Sequence, residues 1–263
     1  MAADHLCLLR GGGDLATGVA WRLTRAGFPV VVCELDNPLT VRRTVALSTA
    51  IHDGRVSVEG MVGRRARTAD EAVHIAFSGD VGVVVAPDLP DISAQVVVDA
   101  RLAKRNINTS LTDAPLVVAL GPGFRAGMDC HAVVETMRGP RLGRLMWEGE
   151  AEADTGTPGL VGGRGSERVL RAPAAGEITW TRAIGDVVEA GELLGEVDGS
   201  ALTAPFDGIV RGLIKPGQVV PVGLKVGDVD PRIDARVDEI SDKALAIGGA
   251  AVEAVMTWSN QLR

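Results

Sequence analysis

Three groups of residues have the types and spacing to do chemistry. The first is the run Arg10-Gly11-Gly12-Gly13-Asp14-Leu15-Ala16-Thr17-Gly18, where Gly11, Gly13 and Ala16 match the G-x-G-x-x-G/A spacing that cradles a dinucleotide pyrophosphate. Each position has its own reason. The first glycine permits a tight turn, the second lets phosphate approach the backbone, and the small third residue lets helix and strand pack closely. Glu34 follows 21 residues after Gly13, where such a fingerprint places an acid for a ribose hydroxyl. The candidate cofactor-binding residues here are Gly11, Gly12, Gly13, Asp14, Thr17, Gly18 and Glu34. Asp14 stands where a helix N-terminus would meet pyrophosphate, and its charge opposes that. It either caps the helix or holds a metal or ribose.

The second group is Arg42-Arg43. Guanidinium matches phosphate bidentately, so the pair reads as a phosphate clamp; the other reading is an ordinary polar helix face. The third group lies further on. Asp99 and Lys104 come just after an apolar run, and Gly121-Pro122-Gly123-Phe124 forms a second glycine loop after another. Beyond it, His131 and Glu135 are four apart, on one face of an expected helix. No catalytic set is fixed by these residues; the candidates are His131, Glu135 and Lys104, and no metal site is expected. Cys130 reads as packing, because the adjacent Asp129 opposes any fall in its thiol pKa.

Elements must position these groups. The apolar runs at 6–9, 28–35, 81–85, 95–98 and 115–120 read as strands, and 14–26 and 128–138 as helices. Alternation of strand and helix with Val-rich runs predicts an α/β sheet with both faces covered. Aromatic residues are only 3% of the chain and tyrosine is absent, so the core has to be built from Val, Leu, Ile and Ala. Both glycine loops should open on one sheet edge and share a ligand.

The formal charge is −7 and no basic patch stands out, which argues against a nucleic-acid partner. No apolar stretch reaches a membrane span, and Met1-Ala2-Ala3-Asp4-His5 lacks the features of a signal peptide. Cys7, Cys33 and Cys130 are odd in number and far apart, as expected of reduced, buried thiols in the cytoplasm.

After the linker around Thr155-Gly156-Thr157-Pro158-Gly159, the composition changes to short Val-rich strands and Gly-rich turns. Ala172-Pro173-Ala174-Ala175-Gly176 recurs as Ala204-Pro205-Phe206-Asp207-Gly208, and Gly185-Asp186-Val187-Val188 recurs as Gly217-Gln218-Val219-Val220. Gly195-Glu196-Val197-Asp198 matches Gly227-Asp228-Val229-Asp230; the offset, from Ala172 to Ala204, is 32 residues throughout. This repeated unit resembles the biotinyl/lipoyl barrel-sandwich hybrid. Carriers of that family bear a modifiable lysine in the hairpin between the copies. Here the hairpin is Asp198-Gly199-Ser200-Ala201-Leu202-Thr203, without lysine, so neither biotin nor lipoate is expected. Ser241 should then cap an Ala-rich C-terminal helix.

The expected organisation is a Rossmann-like domain over 1–160, a biotinyl/lipoyl-like barrel-sandwich domain without carrier lysine over 168–235, and a helix over 238–260 packing on the first domain.

Several further segments carry a resemblance. They include Arg42-Arg43-Thr44-Val45, Val58-Glu59-Gly60, Val98-Asp99-Ala100, Ala103-Lys104, Leu120-Gly121-Pro122-Gly123-Phe124, and His131 with Val134-Glu135-Thr136-Met137-Arg138-Gly139. Gly227-Asp228-Val229-Asp230-Pro231-Arg232 and Ser241-Asp242-Lys243-Ala244 continue the series. Together with the first glycine run they resemble the selenium-dependent molybdenum hydroxylase accessory proteins of the YqeB type, in order and over nearly the whole chain. One departure is visible: the family often follows Met-Arg-Gly with His, and Pro140 stands here.

The resemblance implies a role in maturing molybdenum hydroxylases that carry labile selenium. By analogy with other maturation proteins it implies either binding of a molybdenum cofactor in dinucleotide form or help in inserting selenium, with an apo-hydroxylase as partner and a homo-oligomer left open. Two other readings stay open. In a nicotinamide (NAD) oxidoreductase, Glu34 would hold the ribose and His131 would act as acid, although no Tyr-x-x-x-Lys set is present. In a non-enzymatic docking protein the glycine loops would be turns only.

Overall fold

The computed structural model describes residues 5–156 and 159–261. Met1–Asp4 and the Thr157-Pro158 part of the linker lie outside the described residues. The chain forms two compact units. One comprises the chain up to Pro38, Ala46–Thr155 and the chain from Ile240; the other comprises Leu39–Val45 and Gly156–Glu239.

The first unit begins with β1 (Cys7–Arg10), α1 (Asp14–Arg25) and β2 (Val30–Glu34). It continues with α2 (Thr49–Asp53), β3 (Arg55–Val58), β4 (Met61–Ala66), α3 (Ala69–Phe77), β5 (Val81–Val85) and β6 (Val96–Asp99). Then follow β7 (Leu116–Leu120), β8 (Arg125–Ala126), β9 (Ala132–Val134), β10 (Leu145–Met146) and β11 (Gly149–Glu150), and finally α4 (Asp242–Gln261). One sheet runs in the order β10-β9-β7-β6-β1-β2-β5-β4-β3. It is parallel from β9 to β4, with an antiparallel strand at either edge. β8 and β11 form a separate short ribbon.

The buried Val runs explain the parallel core, because strands covered on both faces need no polar alternation. Leu8, Val31, Val97 and Val117 join Ala72, Ile75 and Ala76 of α3 on one face. The alternate residues Leu9, Val32, Val98 and Val118 are fully buried on the other face. The helix α1 ends one residue short of the expected bound. The expected helix at 128–138 is absent: that stretch holds β9 and turns. Its Val-rich segment pairs with β7 instead, where sheet burial overrides a helix-compatible spacing.

Register levels the sheet's carboxyl edge. Arg10 lies opposite Cys33 on one side and Asp99 on the other, Asp99 lies opposite Ala119, and Leu120 lies opposite Val134. The carboxyl ends of β1, β2, β6, β7 and β9 are therefore level. The strand order reverses at β1, which lies between β2 and β6.

The second unit holds β12 (Val169–Arg171), β13 (Gly176–Trp180), β14 (Val187–Val188), β15 (Leu193–Val197), β16 (Ser200–Thr203), β17 (Gly208–Leu213), β18 (Val219–Val220) and β19 (Lys225–Asp230). They form two four-stranded antiparallel sheets, β12-β19-β17-β14 and β16-β15-β13-β18. The 32-residue step (Val187 to Val219) carries β12, β13, β14 and β15 onto β16, β17, β18 and β19. Each sheet thus takes two strands from either copy, in equivalent order. The core repeats as well: Leu170 with Leu202, Ile178 with Val210, Val188 with Val220, and Leu194 with Val226 are all buried. Between β15 and β16, Asp198 and Gly199 take positive φ (47° and 75°), the two-residue turn that matches the twist of a hairpin.

Candidate functional site

The carboxyl edge of the first unit's sheet collects most of the candidate residues. After β1 the chain turns at Gly11, whose φ of +95° and 3.3 Å approach to the Ala100 backbone leave no place for a side chain. The Gly12 amide donates to Glu34 Oε2 at 2.7 Å, and Leu35 N–H donates to Glu34 Oε1 at 2.7 Å. Both oxygens of the expected ribose acid are thus engaged by backbone. Gly12 O accepts from Ser48 N–H at 2.9 Å. Thr17 is buried: its hydroxyl donates to Gly13 O at 2.9 Å and accepts from Leu47 N–H at 3.0 Å. Gly18 lies against α4, where an added Cβ would meet Ala244 O at 2.4 Å.

Gly13 differs from these. It caps α1 with an extended backbone and no side-chain bond, and open space lies where its Cβ would stand. The α1 N-terminus thus begins beside Asp14, at a glycine where a side chain would meet nothing.

The end of β6 carries a closed polar network. Asp99 is buried and accepts from Thr109 Oγ1 at 2.6 Å and from Arg101 Nε at 3.1 and 3.2 Å. Burial opposes its ionisation, but the Arg101 guanidinium, the Thr109 hydroxyl and the Arg101 N–H outweigh it and hold the carboxyl below its usual range. Buried Arg10 donates to Asn108 O and to Thr109 Oγ1, both at 3.1 Å. Asn106 joins this loop to Asp129 at 3.0 Å. The network fixes the segment after β6, in which Leu102 and Lys104 take left-handed φ of 53° and 63°.

The second glycine loop packs on that segment. A Cβ on Gly123 (φ +98°) would meet the Arg105 backbone at 2.5 Å, and one on Gly121 would meet Thr136 Oγ1 at 2.6 Å. Phe124 is buried in the core. Without the expected helix, His131 and Glu135 bracket β9 and do not share a helical face. His131 Nδ1 accepts from Val117 N–H at 3.0 Å, and burial lowers its pKa, which keeps the ring neutral. Glu135 is fully buried and accepts from Met137 N–H and Glu152 N–H, each at 2.7 Å. Cys130 is likewise not at a helix start, and burial, then Asp129, push its thiol up to about 12.

Two residues missed as site candidates complete the edge, Arg138 and Lys243. Ser241 Oγ accepts from Ala244 N–H at 3.2 Å and starts α4. Lys243 then lies half-buried in the first turn. Helices α1 and α4 touch closely, with Gly18 against Ala244 and Gly248 against Gly18. Lys243 thereby feels Arg138, Asp14, Lys104 and Glu135; burial first, then Arg138, lowers its pKa. Arg138 donates to both oxygens of Asp242 at 2.9 Å, and Lys104 lies 3.6 Å from Asp154. The usable sequence signal was a lysine in a first helical turn, a position whose dipole disfavours cations.

Arg42 and Arg43 belong to the second unit. Arg42 donates to Glu239 O at 3.3 Å and Arg43 Nε to Leu213 O at 2.7 Å, while Thr44 Oγ1 donates to Val237 O at 2.6 Å. These bonds tie the Leu39–Val45 segment into that unit. Among the described residues no group of three or more His, Cys, Asp or Glu is placed to hold a metal. No helix among them is long and apolar enough to cross a membrane.

Fold and site define a mixed α/β protein with a large, mainly parallel sheet, two small antiparallel sheets and a C-terminal helix, and a cationic cluster at the large sheet's carboxyl edge. No protein-family model matches the chain. It is 44% identical over 264 residues to the uncharacterized protein YqeB of Escherichia coli (strain K12), a similarity that matches the expected YqeB type. The alignment covers 99% of this chain and 49% of that relative, so the chain spans about half the relative's length. Among solved structures, a succinylglutamate desuccinylase/aspartoacylase from Rhodobacter sphaeroides is 31% identical over 25% of this chain and 22% of its own, with a TM-score of 0.22. An aspartoacylase family protein from Mesorhizobium loti is 14% identical over 88% of this chain and 86% of its own, with a TM-score of 0.29. Scores this low support no inference about fold or activity.

Proposed function

We propose that the carboxyl edge of the first unit binds a phosphate-bearing ligand, in a protein that serves the maturation of selenium-dependent molybdenum hydroxylases. The observation that carries the ligand class is the grouping of Lys104, Arg138 and Asp14 around Lys243, together with the α1 N-terminus at Gly13, where a side chain would meet nothing. Lysine and arginine side chains and a helix N-terminus suit phosphate oxygens. The strand reversal at β1 is where open α/β sheets hold ligands, and it supports a Rossmann-like reading of this unit.

The maturation role and the dinucleotide form of the molybdenum cofactor rest on the family resemblance. The residues present fit that ligand's phosphates. Lys104, Arg138, Lys243 and the Gly13 terminus would hold them, while Gly11, Gly12, Gly121 and Gly123 shape the loops by close packing. The cofactor, when bound, supplies the molybdenum chemistry; this chain's residues orient its anionic part. Glu34 stands with its carboxylate on the loop amides, which favours this reading over a nicotinamide oxidoreductase.

We read the second unit as a barrel-sandwich hybrid, from its exchanged strands and repeated core. With Asp198-Gly199 at the hairpin where carriers bear lysine, it serves as a docking module for an apo-hydroxylase in the cytoplasm.

Mass spectrometry of the small molecule released on denaturation, after anaerobic purification from molybdenum- and selenium-replete cells, tests the ligand. A molybdopterin dinucleotide is expected; a nicotinamide dinucleotide would replace this reading. The site is tested by Gly13→Glu, which has room for its side chain. Affinity should fall roughly tenfold or more with the unfolding temperature unchanged. Unchanged affinity would move the ligand elsewhere.

A further inference from the structure

We propose that the first unit carries a second ligand site, a trench between α3 and the β5–β6 crossover that takes an apolar monocation of the arylalkylammonium class. It shares no residue with the anion site proposed above and does not rest on it.

The trench follows from two unequal crossovers. α3 returns the chain from the carboxyl end of β4 to the amino end of β5, and the next crossover returns it from the carboxyl end of β5 to the amino end of β6. That second return has no helix. Ile92 N–H donates to Pro90 O and Ala94 N–H to Ile92 O, both at 2.8 Å, so tight three-residue turns carry it across the sheet. It packs on the same apolar cluster as α3 through Leu89, Ile92 and Ala94. One extended chain covers less of a sheet face than a helix about 10 Å wide. A cavity of about 380 Å³ remains between the crossover and α3, a volume in the range of small-molecule sites.

The lining has a polarity. Ala72, Ile75 and Ala76 of α3 face the sheet, while Asp70, Val73 and Phe77, at helical spacing, line the trench. Both returns run in the same direction. Asp70 and Asp91 therefore fall toward one end, and Phe77, Leu6 and Gln95 toward the other. The second end is held in place, because Leu6 N–H donates to Gln95 Oε1 at 3.0 Å and Gln95 N–H to Leu6 O at 3.1 Å. Phe77 leaves 57% of its surface uncovered there.

The charge is just as one-sided. Among the described residues neither the Asp70 nor the Asp91 carboxylate has a hydrogen bond or ion pair. No lysine, arginine or histidine lines the cavity. The nearest arginines along the chain are engaged elsewhere, Arg67 with Glu71 and Arg64 with Asp80. The positive end of the α3 dipole is offset by Asp70 and Glu71 in its first turn. An ammonium group would sit between the two carboxylates, and its apolar body would cover Val73, Ile92 and Phe77.

Ligand-observed NMR titration of the whole chain near neutral pH tests this with three probes. Phenethylammonium supplies charge and ring, phenylacetate the ring with opposite charge, and methylammonium the charge alone. Phenethylammonium should bind saturably with a Kd on the order of 1 mM, as expected for so small a ligand, and the other two at least about tenfold more weakly. Asp70→Asn and Asp91→Asn should each weaken it roughly threefold, and the double variant roughly tenfold. Their unfolding temperatures should not change, since neither carboxylate is bonded. Asp36→Asn, exposed and outside the cavity, should leave the affinity unchanged. Phenylacetate or methylammonium binding as tightly as phenethylammonium overturns the proposal. So does wild-type affinity in the double variant, or no saturable binding of phenethylammonium.

Discussion

A carboxylate as deeply buried as Asp99 stays ionised only while its donors stay in place, which makes it a sensitive point. Asp99→Asn leaves the Arg101 guanidinium without its counter-charge and should lower the urea-unfolding free energy by about 3 kcal/mol. Acid acts on the same bonds. At Asp99, and at Asp230 in the second unit, burial opposes ionisation. The neighbouring Arg101 and Thr109, and Arg232 and Arg211, reverse that balance and hold both carboxyls below their usual range. A depressed folded pKa gives stability that is complete above the unfolded value of about 3.9 and is lost as pH falls through the folded one. The urea midpoint should therefore hold steady toward neutral pH and fall steadily below about pH 4. At this scale the sequence was partly legible. Spacing marked Gly13, Asp14 and Lys104, all at the carboxyl edge of the large sheet. It could not show that Glu34 turns onto Gly12, or that Thr17 and Gly18 face protein, because contacts with Leu47 and Ala244 join residues distant in sequence.

Among the elements, the crossing of α1 and α4 has little slack. An added Cβ at Gly18 would meet Ala244 O at 2.4 Å, and one at Gly248 would meet Gly18 O at 2.3 Å. Gly18→Ala must part the helices or shift backbone, and should cost about 1–3 kcal/mol by chemical denaturation despite alanine's higher helix propensity. Gly13→Ala, with open space around it, should cost far less. In the second unit, truncating a fully buried repeat position such as Leu194→Ala should cost about 3 kcal/mol. The strand–loop–helix–strand start was readable from periodicity and the glycine turn, and so was the 32-residue repeat (Ala172 to Ala204), since its turns recur with its strands. The stretch at 128–138 was not: His131 and Glu135 are four apart, but Val133 and Val134 between them are sheet residues paired with β7.

For the whole molecule, the thiols offer a global probe. Burial pushes Cys7, Cys33 and Cys130 up to about 12, so an aromatic disulfide reagent at mildly alkaline pH should label none in the native protein and three after denaturation. Rapid native labelling would mean that the sheet opens. Chain connectivity has a further effect. The first unit is assembled from three stretches of chain, and its α4 stretch begins only at Asp242, after the entire second unit has been synthesised. On the ribosome, α1 must wait with its Gly18 face bare while more than eighty intervening residues emerge, from Gly156 to Glu239. Nascent chains in that interval are natural clients for chaperones and targets for proteases. No single cut can separate the two units as intact pieces. A fragment stopped at Thr155 should remain unfolded until the 240–261 segment is supplied in trans, so α4 acts as the closing piece of the first unit.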